Sequence, residues 1–202
     1  MLVKKKILKR RNSSTYQVFT KHITSDFMND PDLPLTLTPS DYVTRCWNKY
    51  QRSPEGNNNS LNGSIFEVII ETLLCRCNIS PFYRQAKSEF IPDVEYDIVM
   101  YDEENKVPIT ISLKTTSRER YKQAALEAYA FKIVYRTSLN YLILNDESEC
   151  ENVQKKIETG AVFGLQRAIF ARSDEFNEFI SELANKKYGE APNIKMFEGI
   201  EV

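Results

Sequence analysis

Asp97, Lys114 and Glu67 are the residues of this chain whose types and surroundings could do chemistry together. Asp97 stands at the head of an apolar run, Ile98-Val99-Met100-Tyr101, whose β-branched and aromatic residues favour a strand. Lys114 closes a second run in which Ile109, Ile111 and Leu113 alternate with Thr110, Ser112 and Lys114. Asp102, Glu103, Glu104 and Asn105 between them read as a tight polar turn. In the antiparallel hairpin this pattern predicts, Asp97 and Lys114 lie side by side, and a carboxylate and an ammonium share one small site. Glu67 interrupts a helix that is apolar nearly all round, and an acid in that setting needs a partner such as a metal or a lysine. Two carboxylates give the hard oxygen ligands that suit Mg²⁺. A lysine beside them could orient or deprotonate a water and stabilise charge on a reacting phosphate. Glu71, one turn after Glu67 on the same face, is the weaker candidate.

Other chemistries find little support. His22 is the single histidine and sits in a polar N-terminal region, so Ser-His-Asp and Cys-His catalysis have no foundation. No glycine-rich loop opens a helix to cradle phosphates. Cys46, Cys75, Cys77 and Cys150 show neither a disulfide framework nor zinc spacing, and are expected to be reduced residues of a cytoplasmic protein. The basic N-terminus is not followed by the apolar stretch of a signal peptide, and no apolar run is long enough for a bilayer.

The elements that must position these residues follow along the chain. With 202 residues and 42% apolar content, a single domain is expected, with residues 1–62 as an N-terminal region and 63–187 as the core. The net charge of -1 says nothing of partners, but its distribution does. Met1–Arg11 carries six positive charges and no negative one, and is either a solvated end or an arm that neutralises phosphates. Residues 12–40 are expected to be irregular. A helix should follow Ser40-Asp41, with Tyr42, Val43, Cys46, Trp47 and Tyr50 on its buried face. Residues 53–63 read as a loop, and Ser64 as the cap of the apolar helix that bears Glu67.

Beyond Lys114, an alanine-rich helix is expected, with Arg118, Arg120 and Lys122 at its start. Positive charge there opposes the helix dipole, which suggests another use, such as holding phosphate. Leu139–Leu144 reads as a buried strand. An acidic loop from Asp146 to Glu151 should lead into a further helix, followed by a strand near Arg167–Ala171. A last amphipathic helix is capped by Ser173-Asp174, with Lys186 and Lys187 in its final turn and Gly189 as its stop. The tail after Gly189 carries no signal. The order of elements predicts an α/β sandwich around a mixed sheet of about four or five strands.

These elements support a resemblance. Residues Glu67 to about Asn145 resemble the PD-(D/E)xK nuclease superfamily, and type II restriction endonucleases in particular. The resemblance rests on GSIFEVII for the acid-bearing helix, YDIV for the first acid, ISLK for the lysine strand, and the following helix with LNYLIL behind it. It implies a restriction-endonuclease-like fold with a central mixed sheet flanked by helices. It also implies Asp97 as a metal-binding aspartate, Lys114 as the catalytic lysine and Glu67 as a helix glutamate of the metal shell. Ser112 stands where the pattern carries an acid, so either Glu67 supplies the missing carboxylate or the site is weakened or inactive. Pro92-Asp93 is a second place for the aspartate, though Asp97 has the apolar strand directly behind it. The further implications are Mg²⁺, double-stranded DNA as substrate and a homodimer matched to a palindromic site. Arg118, Arg120, Lys122 and Gln123 would contact phosphates or base edges. A repair nuclease of the same fold, or a non-catalytic DNA-binding subunit favoured by Ser112, are the other readings.

Overall fold

The computed structural model describes residues 13–56, 58–115 and 120–190, and the backbone of 198–201. Met1–Arg11 and Arg118 lie outside the described residues. In chain order the elements are α1 (Ser14–Val18), running into a π-type turn over Phe19–Ile23, α2 (Pro39–Gln51), α3 (Asn59–Arg76), β1 (Tyr83–Ser88), β2 (Ile91–Asp102), β3 (Val107–Lys114), α4 (Arg120–Val134), β4 (Leu139–Leu144), α5 (Glu147–Glu158), β5 (Arg167–Phe170), α6 (Asp174–Ala184) and β6 (Glu198–Glu201). They form two compact units.

One unit holds α1, α2, α3 and α6. Its core is aromatic: Trp47 meets Tyr50 and Phe66 with ring centroids 5.3 and 6.0 Å apart, and Phe19, Phe27, Phe176 and Phe179 are fully buried. The buried Tyr42 and Thr72 hydroxyls hydrogen-bond to each other at 2.9 Å, joining α2 to α3. Residues 12–40, expected to be irregular, contain the short α1 and the π-type turn. Their burial of Val18, Phe19 and Ile23 supplies the reason. Helix α3 begins at Asn59, inside the expected loop. Asn58, not Ser64, caps it by accepting a hydrogen bond from the Ser60 N–H at 3.1 Å, and Leu61 adds an extra buried turn.

The other unit carries the sheet. Among the described residues the strands form one six-stranded mixed sheet in the order β5-β4-β3-β2-β1-β6. β2 pairs antiparallel with β1 and β3, β6 pairs antiparallel with β1, and β3, β4 and β5 run parallel. Parallel neighbours need crossovers, which α4 and α5 provide. Ala124 and Ala128 bring α4 close to β4, where they join Leu142, Leu144, Val153 and Ala168 in one buried cluster. Phe131 joins a second cluster with Tyr96 and Val99 of β2, its ring 4.9 Å from that of Tyr96.

The sheet differs from the expectation at both ends. β2 starts at Ile91, because residues 91–99 pair with β1, while its pairing with β3 covers only 98–102. Part of the tail forms β6 on the edge of β1, so the strand count exceeds the expected four or five. The acids from Asp146 to Glu151 are not a loop. Asp146 caps α5 by accepting from the Glu149 N–H at 3.0 Å, and the acids of the first turn suit the helix dipole. Lys186 and Lys187 do not close α6, which ends at Ala184. They pair instead with Asp102 at 2.8 Å and Glu103 at 3.1 Å, because the buried Asp102 carboxylate needs a cation.

Candidate active site

The β2–β3 ladder runs from Asp102 opposite Val107 to Ile98 opposite Ile111. One residue beyond it is Asp97, and its side chain takes over from the backbone. A single Asp97 oxygen, Oδ2, accepts the Leu113 N–H at 2.7 Å and the Lys114 ammonium at 2.9 Å. The two side chains are 20% and 16% exposed, so the pair is sheltered but open to an incoming group. A carboxylate held this way is fixed in place by the main chain of the strand that carries the lysine, which is what pre-organises a site.

Of the two candidate aspartates, Asp97 is the one that pairs with Lys114. Asp93 is exposed, at a left-handed φ of 65°, while Asp97 holds Lys114. Asp97 is not at the start of its strand, as expected, but midway along it, where β2 leaves the ladder with β3 and continues beside β1. Ser112 is buried on β3, in register with Leu142 of β4. Glu67 is half-buried on α3 in the other unit, and Glu71 is buried one turn later.

A residue that sequence reasoning passed over lies within electrostatic reach of the pair. Glu127, on α4, shares the electrostatics of both Asp97 and Lys114. Burial raises its carboxyl above the ordinary range. Its hydrogen bond from Gln123 and the Lys114 charge pull the other way, and the like charge of Asp97 adds to the rise. Gln123, expected to contact DNA, is exposed, and its Nε2 donates to Glu127 Oε1 at 2.7 Å. The Tyr96 hydroxyl donates to the Glu127 carbonyl at 3.3 Å, and Phe131, one turn on, packs against Tyr96. Tyr96 is the chain neighbour of Asp97, so the contacts that dock α4 on β2 lie beside the strand segment that carries the aspartate. The sequence did hold a signal. Glu127 is an acid beside the buried face formed by Ala124, Ala128 and Phe131, the same criterion that singled out Glu67.

Arg120 and Lys122 are exposed on the first turns of α4. Among the described residues, no three acidic, histidine or cysteine side chains gather as a ready-made cation cage. Asp97 and Glu127 are carboxylates, the type of ligand of which Mg²⁺ commonly takes one or two while keeping several waters. Burial is the main reason the Glu127 carboxyl is raised, and a cation would offset the smaller contribution from the like charge of Asp97. The four cysteines are unbridged, three buried and Cys77 half-buried. Among the described residues no helix is long and apolar enough to cross a membrane.

No family model and no curated protein sequence matches this chain. Among solved structures it is similar to a restriction endonuclease PspGI–substrate DNA complex. The identity is 17%, the likeness covers 90% of this chain and 84% of that one, and the TM-score is 0.58. At that distance the likeness speaks for the fold alone, and the fold is restriction-endonuclease-like: a mixed sheet flanked by helices.

Proposed function

We propose that this chain is a Mg²⁺-dependent type II restriction endonuclease of the cytoplasm, which hydrolyses phosphodiester bonds in double-stranded DNA at a short specific sequence as a homodimer. The observation that carries this reading is the Asp97–Lys114 pair, 2.9 Å apart at the mouth of the β2–β3 hairpin, with the Glu127 carboxylate in its electrostatic reach. The fold likeness to a restriction endonuclease bound to DNA supports it. Asp97 and Glu127 would hold the metal, and Glu67 of α3 is the proposed additional ligand. When bound, the ion polarises the scissile phosphate and acidifies a water. Lys114 orients that water and neutralises the negative charge that builds on the phosphate oxygens. The Leu113 N–H and Lys114 keep Asp97 from rotating away. Glu127 then supplies the carboxylate that Ser112 does not.

The test is direct. Purified protein is incubated with plasmid and phage DNA, with and without Mg²⁺, and the products are run on a gel. Discrete bands that require the metal are expected. A metal-dependent smear, or cuts only at unusual structures, would replace site-specific cleavage with the repair reading. DNA that is shifted but left whole with every divalent ion would defeat the nuclease reading.

A further inference from the structure

The outer face of α4 and the nearby loop carry apolar side chains that the fold does not use. Leu126, Tyr129 and Ile133 recur at helical spacing and are 69%, 50% and 60% exposed, and Val134 is 40% exposed beside them. Phe163, from the loop after α5, is 68% exposed. Between α4 and this loop lies a groove of about 480 Å³, lined by Tyr121, Ala125, Tyr129 and Val162 together with Leu126 and Phe163. Most of its lining is carbon. Its two cations are Lys122 and Lys156, and the Lys156 ammonium sits 2.8 Å from the Tyr121 hydroxyl and 4.4 Å over its ring.

We propose that this face is the surface on which two copies of the chain pair about a two-fold axis. This deepens the dimeric part of the function proposed above and does not depend on the nuclease chemistry. Three features select a second copy as the occupant. The five side chains expose on the order of 500 Å² of apolar surface, at the upper end of what a monomer shows as its largest patch. With the polar margin around them they approach the roughly 800 Å² per partner of a standard interface. The same patch holds both a protruding aromatic, Phe163, and a groove large enough to receive one. Knob and hole on one surface are what an isologous two-fold contact requires, since each copy fills the other. The lining is also wrong for nucleic acid, whose protein partners are polar and strongly basic. It matches the aromatic, charge-poor centre of a protein interface.

Sedimentation of the whole chain, from micromolar to tenths of millimolar, tests this. The wild type should run at twice the 23.5 kDa chain mass. Leu126→Glu and Phe163→Glu, made separately, should each run at the single mass with an unchanged circular dichroism spectrum. Leu35→Glu, which charges an apolar side chain 61% exposed in the other unit, should stay at the double mass. Hydrogen exchange on the wild type needs no variant: amides in residues 121–134 should gain protection as concentration rises. A wild type that stays at the single mass overturns the proposal, as do folded variants that both keep the double mass, or exchange in 121–134 that ignores concentration. A dimer that cuts no DNA would count against the nuclease and leave this interface standing, and a monomer that cuts would do the reverse.

Discussion

At Asp97 one oxygen carries two hydrogen bonds, from a main-chain N–H and from an ammonium. Lys114→Ala removes only the second, so the strand geometry should survive. Cleavage should vanish while DNA binding stays, at a stability cost of about 2 kcal/mol, typical of a hydrogen bond to a charged group. A gel-shift and a cleavage assay on the same preparation would check it, and full-rate cleavage would mean another lysine does the work. Glu127 makes a pH-dependent prediction. Its carboxyl lies above the ordinary range, so it takes up a proton at a higher pH than an ordinary glutamate. A proton there competes with the metal, so the Mg²⁺ needed for half-maximal cleavage should climb as pH falls through the mildly acid range. Glu127→Gln should cut activity by about 100-fold or more and flatten that pH response. It should also raise the melting temperature slightly at neutral pH, because charging a half-buried carboxyl costs stability. A Mg²⁺ titration at two pH values and a thermal melt test both halves. The two acids of α3 should part company. Glu67→Ala should raise the Mg²⁺ requirement or abolish cleavage, whereas Glu71→Ala, at a buried position, should mainly impair folding. Equal, wild-type cleavage by both would take α3 out of the metal site.

At the scale of elements, the β2–β3 hairpin must hold its register for Asp97 to meet Lys114, and its turn is clamped. The buried Asp102 carboxylate accepts from the Asn105 N–H at 3.0 Å, from Asn105 Nδ2 at 2.9 Å and from Lys186 at 2.8 Å. The Glu103 N–H donates to the Lys187 carbonyl at 2.8 Å, and the Gly189 N–H to the Tyr101 carbonyl at 3.2 Å. Burial by itself would raise the Asp102 carboxyl, but the hydrogen bonds from Lys186 and Asn105 outweigh it and hold the group below its usual value. A depressed carboxyl contributes stability that is complete above its unfolded value and fades as pH falls through the folded one. Lys186→Ala should therefore cost about 2 kcal/mol near neutral pH. That deficit should narrow in strong acid, where Asp102 is protonated in both proteins. Denaturant melts at neutral pH and at pH values below the usual carboxylate range would show it. A constant difference across that range would mean that Lys186 acts through packing alone.

For the whole molecule, charge is close to balanced at -1, so attraction to DNA must come from local cations. Arg120 is exposed on α4, the helix that carries Glu127, and does not line the groove proposed as the dimer surface. Arg120→Ala should weaken DNA binding and reduce the slope of log affinity against log salt by about 1. Affinity measured over a salt series decides this, and an unchanged slope would remove that arginine from the DNA surface. The α/β class, the β2–β3 hairpin, the Leu139–Leu144 strand and the Asp97–Lys114 pair were legible in the chain. Each rests on a local pattern: alternation over Ile109, Ile111 and Leu113, a polar turn, or a continuous apolar run. Nearest neighbours impose those patterns whatever the rest of the chain does. Only the tertiary structure put Glu127 within electrostatic reach of the pair, since α4 docks on Tyr96 of β2. Only the tertiary structure turned Lys186 from the end of a helix into the partner of Asp102, because a buried carboxylate takes whichever cation the fold brings to it. Both are contacts between residues far apart in the chain, and the burial that selects them does not exist until the sheet has formed.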